Sequence, residues 1–180
     1  MARIVVTGPE STGKTTLAQA LAAHYSVEWV PEYARNYLGG LDRPYVEADL
    51  LEIAKGQLAS EEEYGRRATA GLLVLDTSLE VIRIWSLVRY GRCDPWISRE
   101  ADFRRQGLYL LCSPDLPWEP DPLREGPAGR EELFRRYHDE LSGRGMDTRI
   151  VTGTGHDRFR QACSEVEAWL GGRYGIPASP

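Results

Sequence analysis

A chain of 180 residues is long enough for one domain with a real core, and 42% apolar with 27% charged residues is ordinary for a soluble globular fold. A formal net charge of −5 argues against any general affinity for nucleic acid or anionic lipid. No apolar run approaches membrane-spanning length, and the first strand starts at once, so no signal peptide is expected. The three cysteines, Cys93, Cys112 and Cys163, are too few and too widely spaced for a disulfide framework or a zinc site. Small buried thiols in a reducing cytoplasm are expected instead.

In chain order, residues 2–7 read as a buried strand. Gly8-Pro9-Glu10-Ser11-Thr12-Gly13-Lys14-Thr15-Thr16 follows, and a helix over 14–24 comes next. The spacing fits G-x-x-x-x-G-K-[ST], the phosphate-binding P-loop, in its proper strand–loop–helix setting. The alternative, a plain glycine turn, does not explain why one of the chain's only two lysines, Lys14 and Lys55, falls at the motif's lysine. Gly8 and Gly13 let the backbone approach a polyphosphate, and the free N–H groups of the loop and helix start face the anion. Lys14 reaches the β- and γ-phosphates, and the Thr15 hydroxyl sits on Mg²⁺.

Residues 27–30 form a second short strand, and 33–38 a helical turn closed by Gly39-Gly40. Val46, Leu50, Ile53, Ala54 and Leu58 recur at helical spacing, which predicts a long helix over 46–68. Residues 71–76 read as a buried strand ending in Asp76, and the stripe Leu79, Ile82, Trp85, Val88 carries a helix to Tyr90. Asp94-Pro95 is an N-cap with proline at the first helical position and opens a helix to about Gln106. Residues 108–112 are the fourth strand. Ser113 to Gly129 carries five prolines and no period, the signature of a functional or mobile loop. A helix over 130–142, a strand over 149–152 and a final amphipathic helix follow, with residues 176–180 as a tail. Alternating apolar strands and helices predict one α/β domain over 1–175. Its five-stranded parallel sheet has helices on both faces, a lid segment, and ligands at the strands' carboxyl ends.

Several residues bear on chemistry. Asp76 ends a strand, where an acid in P-loop proteins helps to hold Mg²⁺; capping the next helix is its other possible role. Glu32, Tyr33 and Arg35 follow the second strand, where a second substrate would lie, although a surface Glu–Arg pair would look the same. Arg124 and Arg130, in and after the proline-rich loop, are candidates for clamping a transferring phosphoryl group. Arg135 and Arg136 share that candidacy, although a solvated face paired with Glu131, Glu132 and Asp139 better explains one or other of them. Trp85, Trp118 and Tyr45 are possible stacking surfaces for a flat ring, with Trp85 the one most at home in a core. His24, His138 and His156 share no spacing and are assigned surface or capping roles.

With these residues in hand, the chain resembles the ribosylnicotinamide kinase domain of the NadR-type NAD-salvage proteins. The likeness is carried by the P-loop with its Glu10-Ser11 filling, by Glu32-Tyr33-Ala34-Arg35 and by Ile53-Ala54-Lys55-Gly56-Gln57. It continues through Leu75-Asp76-Thr77, Pro114-Asp115-Leu116-Pro117-Trp118 with Asp121 and Arg124, and the Gly153…Arg158 segment. The resemblance implies a P-loop kinase fold with the metal-binding strand beside the P-loop strand, and ATP-dependent phosphorylation of the nicotinamide riboside 5′-hydroxyl. It implies ATP contacts from Gly8 through Thr16 and from Arg158, and Mg²⁺ on Thr15 and Asp76. Glu32 becomes the acid facing the ribose hydroxyl, with Tyr33, Arg35, Trp118 and Asp121 around the substrate. Lys14, Arg124 and Arg130 become the charge-stabilising groups. NadR-type proteins carry an adenylyltransferase domain before the kinase, whereas this chain starts at the kinase strand, so adenylyl transfer and repression are not carried over. A kinase for another nucleoside or nucleotide, and a non-catalytic ATP- or NAD-sensing module, are the competing readings.

Overall fold

The computed structural model describes residues 1–121 and 128–174. These form β1 (Ala2–Thr7), α1 (Lys14–Tyr25), β2 (Glu28–Val30), α2 (Tyr33–Gly39), α3 (Glu47–Arg67) and β3 (Leu72–Asp76). Then come α4 (Leu79–Tyr90), α5 (Pro95–Phe103), β4 (Leu108–Cys112), α6 (Arg130–Gly143), β5 (Asp147–Val151) and α7 (Gly155–Tyr174). The expected tail and the proposed lid arginine Arg124 lie outside the described residues.

The five strands make one all-parallel sheet in the order β2-β3-β1-β4-β5. Its central strands are largely apolar because both faces are covered. The period-2 alternation divides them cleanly. Ile4, Val6, Val74 and Leu110 pack with Leu17 and Leu21 of α1 and Val166 and Trp169 of α7. Val5, Leu73, Leu75, Tyr109 and Leu111 face Ile84 of α4 and Tyr137 and Leu141 of α6. A third apolar cluster joins α2, α3, α4 and α5 through Ala34, Ile53, Leu79, Ile82 and Ile97. Parallel strands place all five carboxyl ends on one side, so Thr7, Val30, Asp76, Cys112 and Val151 look toward the same rim.

Three local expectations shift. α5 stops at Phe103 rather than near Gln106, because the chain must turn to enter β4 through Gly107. A Cβ there would come within 2.9 Å of the Arg3 carbonyl oxygen, and φ is +151°. β5 starts at Asp147, not Arg149, since all five residues of β4 find partners, from Leu108↔Asp147 to Cys112↔Val151. Cys112 and Cys163 are buried as expected, but Cys93 is only half-buried.

One buried acid gives the fold a pH signature. Glu80, in the first turn of α4, is 1% exposed, and its Oε1 has no hydrogen-bond partner among the described residues. Burial pushes its carboxyl up to about 7, with the Glu61 charge adding to the effect. A carboxyl raised in the folded state contributes stability below its unfolded value near 4.5 and loses it as pH rises toward 7. Glu80→Gln should therefore raise Tm at pH 8, by the equivalent of at most about 3 kcal/mol, and change it little at pH 4.5. Thermal melts at both pH values check this; equal shifts at the two would refute it.

Candidate active site

The P-loop geometry follows from its glycines. Gly8 has φ +134°, and a Cβ on it would meet the Cys112 carbonyl oxygen at 2.8 Å. Gly13 has φ +74°, and a Cβ there would meet Leu116 Cδ1 at 2.8 Å. The backbone approach at Gly8 is open only to glycine, and at Gly13 it is the positive φ that favours glycine. Gly13 is also the N-cap of α1, where no side chain caps the helix and no acid occupies the first turn. The uncapped N–H groups and the helix dipole are left to face an anion. Thr12 Oγ1 donates to the Pro9 carbonyl at 2.8 Å, and Lys14 Nζ donates to the same oxygen at 2.7 Å. Pro9 therefore serves the loop through its carbonyl and is not on the cavity wall, whereas Gly8 and Glu10 to Thr16 are.

β3 lies beside β1 in the register Val6↔Asp76, which carries Asp76 to the P-loop. Thr15 Oγ1 donates to Asp76 Oδ2 at 2.5 Å. The other carboxylate oxygen, Oδ1, is buried without a hydrogen-bond partner among the described residues. Burial pushes this carboxyl up to about 6, against the pull of the Thr15 hydrogen bond, with the Glu32 charge adding to the rise. No capping hydrogen bond to α4 is made by its N-cap side chain, Ser78. An orphaned, desolvated carboxylate oxygen beside a hydroxyl suits a small hard cation that takes its remaining ligands from phosphate and water. The donor set thus fits Mg²⁺.

A cavity of about 1080 Å³ runs from the P-loop along the carboxyl edge of the sheet. At one end α1 contributes Thr16 and Ala20, and the start of α7 contributes His156 and Phe159, whose rings are 6.3 Å apart. At the other end Leu38, Leu41, Pro44, Tyr45, Ile84 and Trp85 form an apolar wall. Trp85 Nε1 donates to the Tyr45 hydroxyl at 2.9 Å, and the two rings meet edge-on at 4.8 Å. Trp85 is thus half-buried and faces the cavity. Lys14, Glu32 and Arg35 line the same cavity. Glu32 is half-buried at the β2–α2 junction, and its charge acts on both Asp76 and Arg35.

The segment after β4 crosses the P-loop as a strap. Ser11 Oγ accepts from the Glu119 N–H at 2.9 Å and donates to the Pro117 carbonyl at 3.3 Å. Arg130, the first residue of α6, donates to the carbonyls of Ser11 at 3.1 Å and Leu116 at 3.0 Å. Asp121, at the end of the described strap, accepts from Arg35 at 2.9 Å. The structure therefore brings Arg35, Asp121, Arg130 and the P-loop together. Arg135 and Arg136 pair with Glu132 on the exposed face of α6.

Three residues expected at the site sit differently. The Tyr33 ring lies over α3, where a Cβ at Gly56 would come within 2.1 Å of it, and its N–H donates to Gln57 Oε1 at 2.9 Å. It packs between helices and is absent from the cavity wall. Trp118 is also off that wall, with the Arg130 guanidinium 5.9 Å from its ring. Arg158 does line the cavity, but it is 4% exposed and its guanidinium is already engaged. It donates to the carbonyls of Thr12, Gly153 and Ser113 and to Asp115, tying the P-loop to the segment after β4 and to the residues before α7. His156, given a surface or capping role from sequence, is exposed and lines the cavity. Its sequence neighbour Phe159, one turn along α7, was the available signal.

Comparison with known proteins agrees with this geometry. A family model described as an AAA domain matches residues 3–158. The trifunctional NAD biosynthesis/regulator protein NadR of Salmonella typhimurium is 28% identical over 125 residues, which is 67% of this chain and 30% of that protein; the NadR of Escherichia coli matches to the same extent. The chain thus spans less than a third of these relatives' length. Among solved structures, NadR in complex with NR superposes with a TM-score of 0.82 at 23% identity, over 99% of this chain and 53% of that one. NadR in complex with NAD and AMP-PNP gives 0.77 at 22%, over 99% and 51%. Thymidylate kinase from Ehrlichia chaffeensis gives 0.60 at 14%, over 94% and 98%. These likenesses establish a P-loop kinase-like fold. With the matched span running from β1 through the P-loop and Asp76 to the first turn of α7, the chain belongs to the AAA domain family of P-loop proteins.

Proposed function

We propose that the protein is an ATP- and Mg²⁺-dependent kinase that phosphorylates the 5′-hydroxyl of nicotinamide riboside. The observation that carries this reading is one cavity lined together by a phosphate-binding loop, a half-buried carboxylate and an aromatic wall. A polyphosphate donor fits the loop end, with its base against His156 and Phe159. A nucleoside fits the other end, with its ring against Tyr45 and Trp85. The likeness to NadR and to a nucleotide kinase supports the same class of reaction.

In the proposed reaction the ribose hydroxyl oxygen attacks the γ-phosphorus of ATP. The bond from that phosphorus to the β–γ bridging oxygen breaks, and ADP leaves. Glu32 accepts the hydroxyl proton and holds the oxygen in line. Lys14 leaves the Pro9 carbonyl for the phosphates, and Arg130 stabilises the spreading negative charge from the strap side. Mg²⁺, held by Asp76 and the Thr15 hydroxyl, would neutralise phosphate charge. Arg158, on the cavity wall, braces the loop through the Thr12 carbonyl. Three cysteines without a disulfide among the described residues accord with a cytoplasmic setting.

Asp76→Asn should raise the Mg²⁺ concentration for half-maximal activity, because one formal charge at the ion is lost while the bond from Thr15 is kept. A Mg²⁺ titration of ADP release checks this. An unshifted midpoint would remove Asp76 from the metal site. The function itself is tested by presenting ATP with a panel of nucleosides and weighing the products by mass spectrometry.

A further inference from the structure

We propose that Asp49 is a positioning residue that sets the shape of the ring end of the cavity and, with it, the choice of nucleoside. The proposal rests on the reading that this end takes the nucleoside. The chain between α2 and α3 supplies Leu41, Arg43, Pro44 and Tyr45 to the wall, yet it has neither helix nor strand. Its own backbone ties are turn bonds at its two ends, Gly40 N–H to the Tyr37 carbonyl, Leu41 N–H to the Leu38 carbonyl and Asp49 N–H to the Val46 carbonyl, with none between them among the described residues. A segment held so lightly would sample several shapes.

The Asp49 carboxylate, in the first turn of α3 and 4% exposed, gathers this segment at three points. Oδ1 accepts from the Tyr37 hydroxyl at 2.9 Å, before the segment, and from Arg43 Nη2 at 2.8 Å, within it. Oδ2 accepts from Arg43 Nη1 at 2.8 Å and from the Val46 N–H at 2.7 Å, at the segment's end. Arg43 Nη1 also donates to the Pro44 carbonyl at 3.0 Å. The hydrogen bonds from Arg43 and Val46 hold the Asp49 carboxyl well below the usual carboxylate range, so the clamp stays charged through neutral pH. Tyr45 lies between the two clamped residues Arg43 and Val46, and its hydroxyl receives Trp85 Nε1. One carboxylate thus fixes the segment that carries one aromatic wall residue, and through it the orientation of the other. Asparagine cannot replace it. Arg43 and the Val46 N–H can only donate, and the amide would turn its own NH₂ onto Arg43 Nη1 and Val46 N–H, or onto Arg43 Nη2.

The test is steady-state kinetics of Asp49→Asn with ATP and two nucleosides of different base, nicotinamide riboside and cytidine, alongside hydrogen exchange and Tm. In the variant, KM for nicotinamide riboside should rise at least about tenfold, as expected for charge-assisted hydrogen bonds lost at a binding surface. KM for ATP should stay within about twofold. The ratio of kcat/KM between the two nucleosides should fall, and amide exchange should speed up over residues 38–46 but not in the P-loop. Tyr37→Phe, which removes one of the four bonds, should move nucleoside KM the same way by less; with Arg43→Lys it carries the test if Asp49→Asn does not fold. Unchanged nucleoside KM and discrimination in a folded variant would overturn the proposal. So would a fall in Tm with both KM values rising together, which would make Asp49 a helix-capping residue only. If the wild-type protein phosphorylates neither nucleoside, the site reading fails on its own. Exchange over residues 38–46 then decides the clamp, and unaltered exchange would refute it.

Discussion

Lys14→Ala should abolish phosphoryl transfer while leaving a folded protein. Lys14 is half-buried, and the bond its ammonium makes is to the Pro9 carbonyl at 2.7 Å. Removing it costs the fold about 1 kcal/mol, as for a typical hydrogen bond. The cost to the reaction is of another order. A preorganised cation aimed at developing phosphate charge is worth at least about 10²–10³-fold in rate in a site shielded from water. The P-loop backbone does not depend on the ammonium, because Gly8 and Gly13 set its turns and Arg158 holds it through the Thr12 carbonyl. The expected pattern is Tm within a few degrees of wild type and ADP release near background. Near-normal ADP release by a folded variant would show that the loop does not present phosphate to the reaction.

Glu32→Gln should lower kcat by about 10²–10⁴-fold, the range typical of general-base assistance. The two carboxylates on this side of the cavity have different surroundings. Asp76 is 1% exposed, hydrogen-bonded to Thr15 and suited to a metal ion, which makes it a poor proton acceptor. Glu32 is half-buried and lines the cavity together with Lys14 and the aromatic wall. The Arg35 guanidinium feels the charges of Glu32 and Asp121 together, and its hydrogen bond to Asp121 is the larger effect. The substituted amide keeps the shape of the side chain and loses its charge, so ATP binding should hardly change. Retention of most of kcat with nicotinamide riboside would exclude Glu32 as the base. Loss of ATP affinity would instead mark it as a structural residue and move the substrate site elsewhere.

The parts of this site that were legible in the sequence are those whose physical demands are local. The P-loop packs its glycines, lysine and hydroxyl into nine residues between a strand and a helix, so spacing alone identifies it. Asp76 was readable because the end of an apolar strand is a definite place. The strap is different. Ser11 meets Pro117 and Glu119 more than a hundred residues away, and no local pattern encodes that pairing. The ATP role of Arg158 comes from the family resemblance of the Gly153…Arg158 segment. Its guanidinium also engages partners from the P-loop, the segment after β4 and the residues before α7, an arrangement that only tertiary packing creates. Tyr33 had a signal that went unused. Gly56 inside a long helix marks a close approach, and the Tyr33 ring is what approaches. The acid at the third position of α3, reaching back to the Val46 N–H, was likewise visible as half of a capping box.

The most direct test of the proposed activity is one incubation of the purified protein with ATP, Mg²⁺ and nicotinamide riboside, with nucleoside and nucleotide products identified by mass spectrometry. The expected result is equal amounts of ADP and a product one phosphoryl group heavier than the riboside, carrying that group on the 5′-oxygen. ATP binding without transfer to the riboside, or transfer to another nucleoside in clear preference to it, would contradict that assignment.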